Sequence, residues 1–114
     1  MKKKIILTYK GQKVELELKV VPKILHWLGL MFSFKNIAKP RLFEFGKESD
    51  IAIHSWFVFY DFVAIWLDEA GKIIETRKVR PFTSSVCPRQ KFKKLIEIPI
   101  NSDYDEVCRL VVGN

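Results

Sequence analysis

The stretch His54–Leu67, HSWFVFYDFVAIWL, constrains the fold more than any other part of the chain. Its even positions are His54, Trp56, Val58, Tyr60, Phe62, Ala64 and Trp66. Its odd positions are Ser55, Phe57, Phe59, Asp61, Val63, Ile65 and Leu67. Successive side chains of a strand point to opposite faces, so a strand that is apolar on both parities must be covered on both sides. At about 3.3 Å per residue this stretch would run about 46 Å, too far for one straight strand in a chain of 114 residues. A bend or bulge has to fall inside it, and Tyr60–Asp61 is the polar interruption that predicts the place.

The remaining segments read mostly as strands. Residues 3–9 and 13–20 flank Gly11 and form a hairpin. In the second arm Val14, Leu16, Leu18 and Val20 alternate with Lys13, Glu15, Glu17 and Lys19, so one face is dry and the other wet. Arg41–Phe45, Lys72–Val79 and Phe92–Ile98 are further strands, and the β-branched residues of Val107–Val112 predict a last one. Residues 22–31, PKILHWLGLM, break the pattern: Pro22 suits a first helical position, and Ile24, Leu25, Leu28 and Met31 fall at helical spacing. The expectation is one all-β domain over residues 1–114, a mainly antiparallel sandwich or small barrel of seven or eight strands, with one short helix near 22–31.

Charge is unevenly placed on this frame. The net charge is +7, yet residues 51–70 carry three acids and no Lys or Arg, while residues 71–100 carry eight basic side chains against two acids. Basic flanks on an apolar centre suit anionic partners such as nucleic acid or acidic membrane, and they also keep a small apolar domain soluble. The two cysteines, Cys87 and Cys108, and the two histidines have no metal-ligand spacing, so no metal and no cofactor is expected. MKKKIILTYK lacks the apolar run of a signal peptide, and no apolar run reaches the ~18 residues of a membrane span. These features predict a cytoplasmic protein with two free thiols.

Four pieces of the chain resemble an uncharacterised family, domain of unknown function 192. They are GLMF at 29–32, IHSWFVFYDFVAIWLDEAGKII at 53–74, VRPFTSSVCPRQ at 79–90 and KKLIEIP at 93–99. The resemblance implies a compact antiparallel β fold and no established activity. The family carries a Pro, an apolar residue and an Asp before the strand ending in Leu-Asp. Aligned on Leu67-Asp68, those positions are Asp61, Phe62 and Val63 here.

Catalytic motifs are missing from the sequence. His54 and Asp61 differ in parity and point to opposite faces of a regular strand, no G-x-S-x-G elbow occurs, and the five glycines stand singly. A non-enzymatic binding module is therefore expected. It would take a small polar ligand or a protein partner near the Tyr60–Asp61 bend and the 80–90 loop, through His54, Tyr60, Asp61 and Phe82. Asp61 also has a structural role open to it, accepting from backbone N–H groups at the bend or pairing with a cation from 77–94. On that reading its loss would destabilise by ~1–3 kcal/mol. The alternative is a nucleic-acid surface built from Arg77, Lys78, Arg80, Arg89, Lys91, Lys93 and Lys94, with Phe82 available for stacking.

Overall fold

The computed structural model describes residues 2–22 and 38–112. Residues 23–37, and with them nearly all of the predicted helix, lie outside the described residues. Six strands form one sheet: β1 (Lys2–Tyr9), β2 (Gln12–Val20), β3 (Arg41–Ser49), β4 (Phe62–Leu67), β5 (Ile73–Val79) and β6 (Phe92–Pro99), followed by a helix, α1 (Asp105–Val112). The strand order is β1-β2-β3-β6-β4-β5, and the sheet curls into a half-barrel. All neighbours are antiparallel except β2 and β3, which pair in parallel through Lys19–Arg41 and Val20–Leu42.

Local chemistry sets the tight turns. Lys10 and Gly11 both have positive φ, 50° and 81°, the backbone that matches a two-residue turn to the twist of its strands. Between β4 and β5, Asp68 Oδ1 accepts from the N–H groups of Ala70 and Lys72 at 3.0 and 2.9 Å, and Gly71 takes φ 86°.

The curl creates two cores, one on each face. On the inner face Leu7, Leu16, Leu18, Leu42, Val63, Ile65, Leu67, Ile96 and Ile98 pack against Val107, Cys108 and Val111 of α1. On the outer face Phe43, Phe62, Ala64, Trp66, Val79, Phe92 and Leu95 are covered by Val58, Tyr60 and Val86 from loops. Every side chain of β4 is buried, its odd residues inside and its even residues outside. That is the two-sided burial expected of its sequence.

Two predicted strands change. Residues 54–61 are loop rather than strand, so β4 begins at Phe62, directly after the predicted break. The segment Val107–Val112 is helical. The turn that leads into it is held by Asn101, whose Oδ1 accepts from the N–H groups of Asp103 and Tyr104 at 3.0 and 3.2 Å. Asp105 and Glu106 sit in the first turn and Arg109 in the last, matching the helix dipole. Val107, Cys108 and Val111 fall on one helical face, and burying that stripe outweighs the strand preference of its valines.

Candidate functional site

Two loops lie side by side over the outer face, and their backbones are bonded to each other. Ile53 and Val86 exchange N–H···O bonds of 2.7 and 2.8 Å. Further on, Ser55 N–H donates to the Thr83 carbonyl and Phe82 N–H donates to the Ser55 carbonyl, both at 2.9 Å. Ser55 is fully buried. Its hydroxyl donates to the Arg80 carbonyl and accepts from Thr83 N–H, each at 2.6 Å, and the Thr83 hydroxyl donates to the same Arg80 carbonyl at 2.8 Å. A single buried serine thus ties the loops together, with both of its hydrogen-bonding roles filled.

Each loop turns at this point, and each turn carries a phenylalanine with a left-handed backbone. In Ser55-Trp56-Phe57-Val58, Val58 N–H donates to the Ser55 carbonyl at 3.1 Å and Phe57 has φ 60°. In Arg80-Pro81-Phe82-Thr83, proline precedes Phe82, whose φ is 57°. Positive φ at the third turn residue is the place where glycine is favoured, because a side chain there is strained. Both turns place a large aromatic ring instead.

The rings meet on the surface. Phe82 makes edge-to-face contacts with Trp56, Phe57 and Phe59, at centroid separations of 6.1, 6.0 and 5.4 Å. All four remain exposed, Phe59 at 64% and the others at 42–46%. Large apolar side chains gathered at one exposed place are unusual on a small domain.

The structure distributes the sequence-predicted residues as follows. Phe82 is the centre of the aromatic cluster. Tyr60 is 5% exposed and part of the outer core. His54 is half-buried, and its Nδ1 accepts from Trp56 N–H at 3.2 Å, which steadies the first turn. Asp61 sits at the foot of β4. Its carbonyl accepts from Ile100 N–H at 3.2 Å, and its carboxylate faces the Lys78 ammonium at 3.5 Å, both side chains partly exposed. No hydrogen bond or ion pair joins His54 to Asp61 among the described residues. Trp56, Phe57 and Phe59 escaped the sequence reading because two-residue alternation made them look like strand interior. The signal available was Pro81, a turn former placed opposite a dense aromatic run.

The basic residues of 77–94 spread over both faces of the sheet. Arg77 shares the outer side of β5 with Val79, stacks over the Trp66 ring at 5.8 Å and pairs with Glu75. Lys78 lies opposite Val63, on the inner side. On β6, Lys93 pairs with Glu69 at 3.3 Å, while Lys94 stands opposite Leu67 and Glu44 on the inner side. The side chains of Arg80, Arg89, Lys91 and Lys94 form no ion pair among the described residues, although Arg89 N–H donates to Glu75 Oε1 at 3.1 Å.

Sequence reasoning also missed Glu97. In KKLIEIPI it shares a parity with Leu95 and Pro99, and the register places it on the outer face between Ala64 and Arg41. It is 4% exposed, and its Oε1 has no hydrogen-bond partner among the described residues. Burial pushes its carboxyl up to about 8, against the opposing pull of the Arg41 guanidinium. Among the described residues the buried acid with an unbonded carboxylate oxygen is therefore Glu97, not Asp61. Among the described residues no three His, Cys, Asp or Glu side chains converge as a metal site would require, and Cys87 and Cys108 are free thiols.

Comparison with solved structures finds the same fold in two bacterial chains. One, from Sinorhizobium meliloti 1021, is described as "a putative transcription regulator". It superposes with a TM-score of 0.74 at 16% identity, over 90% of this chain and 82% of that one. The other, from Novosphingobium aromaticivorans DSM 12444, is described as a protein of unknown function. It superposes with a TM-score of 0.77 at 9% identity, over 94% of this chain and 79% of that one. No family model matches the chain, and comparison with curated proteins returns no match. At these identities the likeness concerns the fold: this is a small β domain built as a half-barrel sheet.

Proposed function

We propose that the chain is a non-enzymatic binding module whose recognition surface is the pair of turns at 55–58 and 80–83. The observation that carries this reading is the convergence of Trp56, Phe57 and Phe59 on Phe82, all four exposed, above a fully buried Ser55 that fixes both backbones. Holding two phenylalanines in a strained backbone requires surrounding structure that over-determines them, and such strain gathers at functional sites. The surface is apolar, with no acid between Asp50 and Asp61 or between Glu75 and Glu97. It suits an apolar or amphipathic anion better than a small polar ligand. The two segments that form it, within 53–74 and 79–90, also carry most of the resemblance to domain of unknown function 192, and the reading retains that family as a proposal.

An amphipathic aromatic sulfonate, anilinonaphthalene sulfonate, is a direct probe. The folded protein is expected to enhance its fluorescence, and Phe82→Gly combined with Phe59→Ser is expected to remove most of the enhancement with the circular dichroism spectrum unchanged. Equal enhancement by the double variant would overturn the reading.

The nucleic-acid alternative has a narrower footing. Arg80 begins the second turn, so one cation without an acidic partner among the described residues adjoins the aromatic cluster. The other basic residues of 77–94 divide between the sheet faces. Oligonucleotide affinity that falls steeply with salt and requires Arg80 and Phe82 together would favour this alternative.

A further inference from the structure

The chemistry of the paired turns narrows the kind of partner, given the binding reading above. An aromatic platform for bases offers open, roughly parallel ring faces. Here Phe82 meets its three neighbours at interplanar angles of 66–78°, so the rings lock edge against face and form a compact apolar knob. A protein partner would need a socket of matching shape, whereas the headgroup boundary of a bilayer accepts any ring orientation. It asks for apolar side chains, cations beside them and a backbone that brings no unsatisfied polar groups.

The first two are present, and the third is met in part. Trp and Phe rings sit well at that depth, and Ile51 adds an aliphatic side chain, 58% exposed, on the approach to the first turn. The cation at the knob is Arg80, the first residue of the second turn, which has no acidic partner among the described residues. Part of the turn backbone is bonded from within. The N–H groups of Ser55, Trp56, Val58, Phe82 and Thr83, and the carbonyls of Ser55, Arg80 and Thr83, all have partners inside the loop pair.

We propose that the knob formed by Trp56, Phe57, Phe59 and Phe82 inserts into the headgroup region of an anionic bilayer, with Arg80 among the phospholipid headgroups. The protein lies on the surface in this arrangement and spans nothing. Among the described residues no helix is long and apolar enough to cross a membrane. Anionic lipid is abundant on cytoplasmic leaflets, which fits the location expected from the sequence.

The test is flotation of the full chain with two kinds of vesicle, phosphatidylcholine alone and phosphatidylcholine mixed with phosphatidylserine. Binding is expected to the mixed vesicles, to weaken with salt, and to blue-shift tryptophan emission in a way that Trp56→Phe removes without abolishing flotation. Phe59→Ser and Phe82→Gly should each weaken partition on the order of tenfold, the loss of one buried ring. Both variants are expected to fold, since Phe59 is 64% exposed and Phe82 has the backbone that favours glycine. Arg80→Gln should weaken binding to the mixed vesicles more than to phosphatidylcholine. Absence of flotation by the wild type, or flotation that survives the double aromatic substitution, overturns the proposal. If flotation fails while the sulfonate probe still depends on Phe59 and Phe82, the bilayer is refuted and the binding surface stands. If the probe also ignores the substitutions, both fall. Aromatic-dependent capture of an oligonucleotide, or self-association without vesicle binding, refutes the bilayer in favour of that partner.

Discussion

Phe57 and Phe82 occupy equivalent places in two facing turns, each with a left-handed backbone, their ring centroids 6.0 Å apart. An alanine at either place keeps the strain and loses the ring, whereas a glycine loses both. Phe57→Gly is therefore expected to be more stable than Phe57→Ala by about 1–2 kcal/mol, since the lost ring contact is common to both and cancels. Paired urea titrations measure the difference.

Ser55→Ala removes the hydroxyl that accepts from Thr83 N–H and donates to the Arg80 carbonyl. The carbonyl retains the Thr83 hydroxyl, but the N–H is left without its partner. A loss of about 1–3 kcal/mol is expected, with faster amide exchange concentrated in 53–58 and 80–86. Exchange that rises evenly over the molecule would refute the localised role.

Asp61→Ala is expected to be mild. Among the described residues its carboxylate pairs with the Lys78 ammonium alone, at 3.5 Å, and both side chains are partly exposed. Pairs of this kind contribute about 0–1 kcal/mol. The larger loss expected from sequence rested on a buried acid satisfying backbone donors at the bend, and the backbone bond found there uses the Asp61 carbonyl, which the substitution leaves in place.

Glu97 predicts the response to pH. Its carboxyl titrates near 4.5 in the unfolded chain and, through burial, at about 8 in the fold. Between those values the folded state holds a proton that the unfolded state has released, so stability falls as pH rises through the window. Below 4.5 the group has no effect on stability, and above about 8 its destabilisation is complete, a few kcal/mol and at most about 5. Glu97→Gln is expected to flatten most of this slope in thermal unfolding curves recorded on either side of the window. A variant with the wild-type slope would show that other groups set it.

The thiols should differ sharply. Cys87 is exposed, while Cys108 is packed against α1's inner-face neighbours with its thiol pushed up to about 12 by burial. One rapid equivalent with a disulfide reagent is expected from the native protein, and the second only on unfolding.

How much of this was legible in the sequence depends on whether local pattern or distant contact decides each element. The hairpin of β1 and β2 was readable because alternation and Gly11 agree. The two-sided burial of Phe62–Leu67 was readable because a strand with no polar parity has no other stable place. The same alternation misread 54–60, since a loop of aromatic residues imitates a buried strand until its partner loop is known. Val107–Val112 misled through its valines, because the inner face that receives α1 lies elsewhere in the chain. Of the expected site, Phe82 and the 80–90 loop were visible as an aromatic beside cations. Ser55, the buried hub beneath it, looked like any small polar residue.

The placement of α1 has a consequence for biosynthesis. Its buried stripe covers an inner face to which β1, β2, β3, β4 and β6 all contribute, and Thr76 Oγ1 of the edge strand β5 donates to the Val111 carbonyl at 2.9 Å. While α1 is still inside the ribosomal exit tunnel, the strands that have already emerged expose the leucines and isoleucines of an open trough. Until α1 leaves the exit tunnel, the nascent chain is a client for whatever chaperone shields apolar surface there.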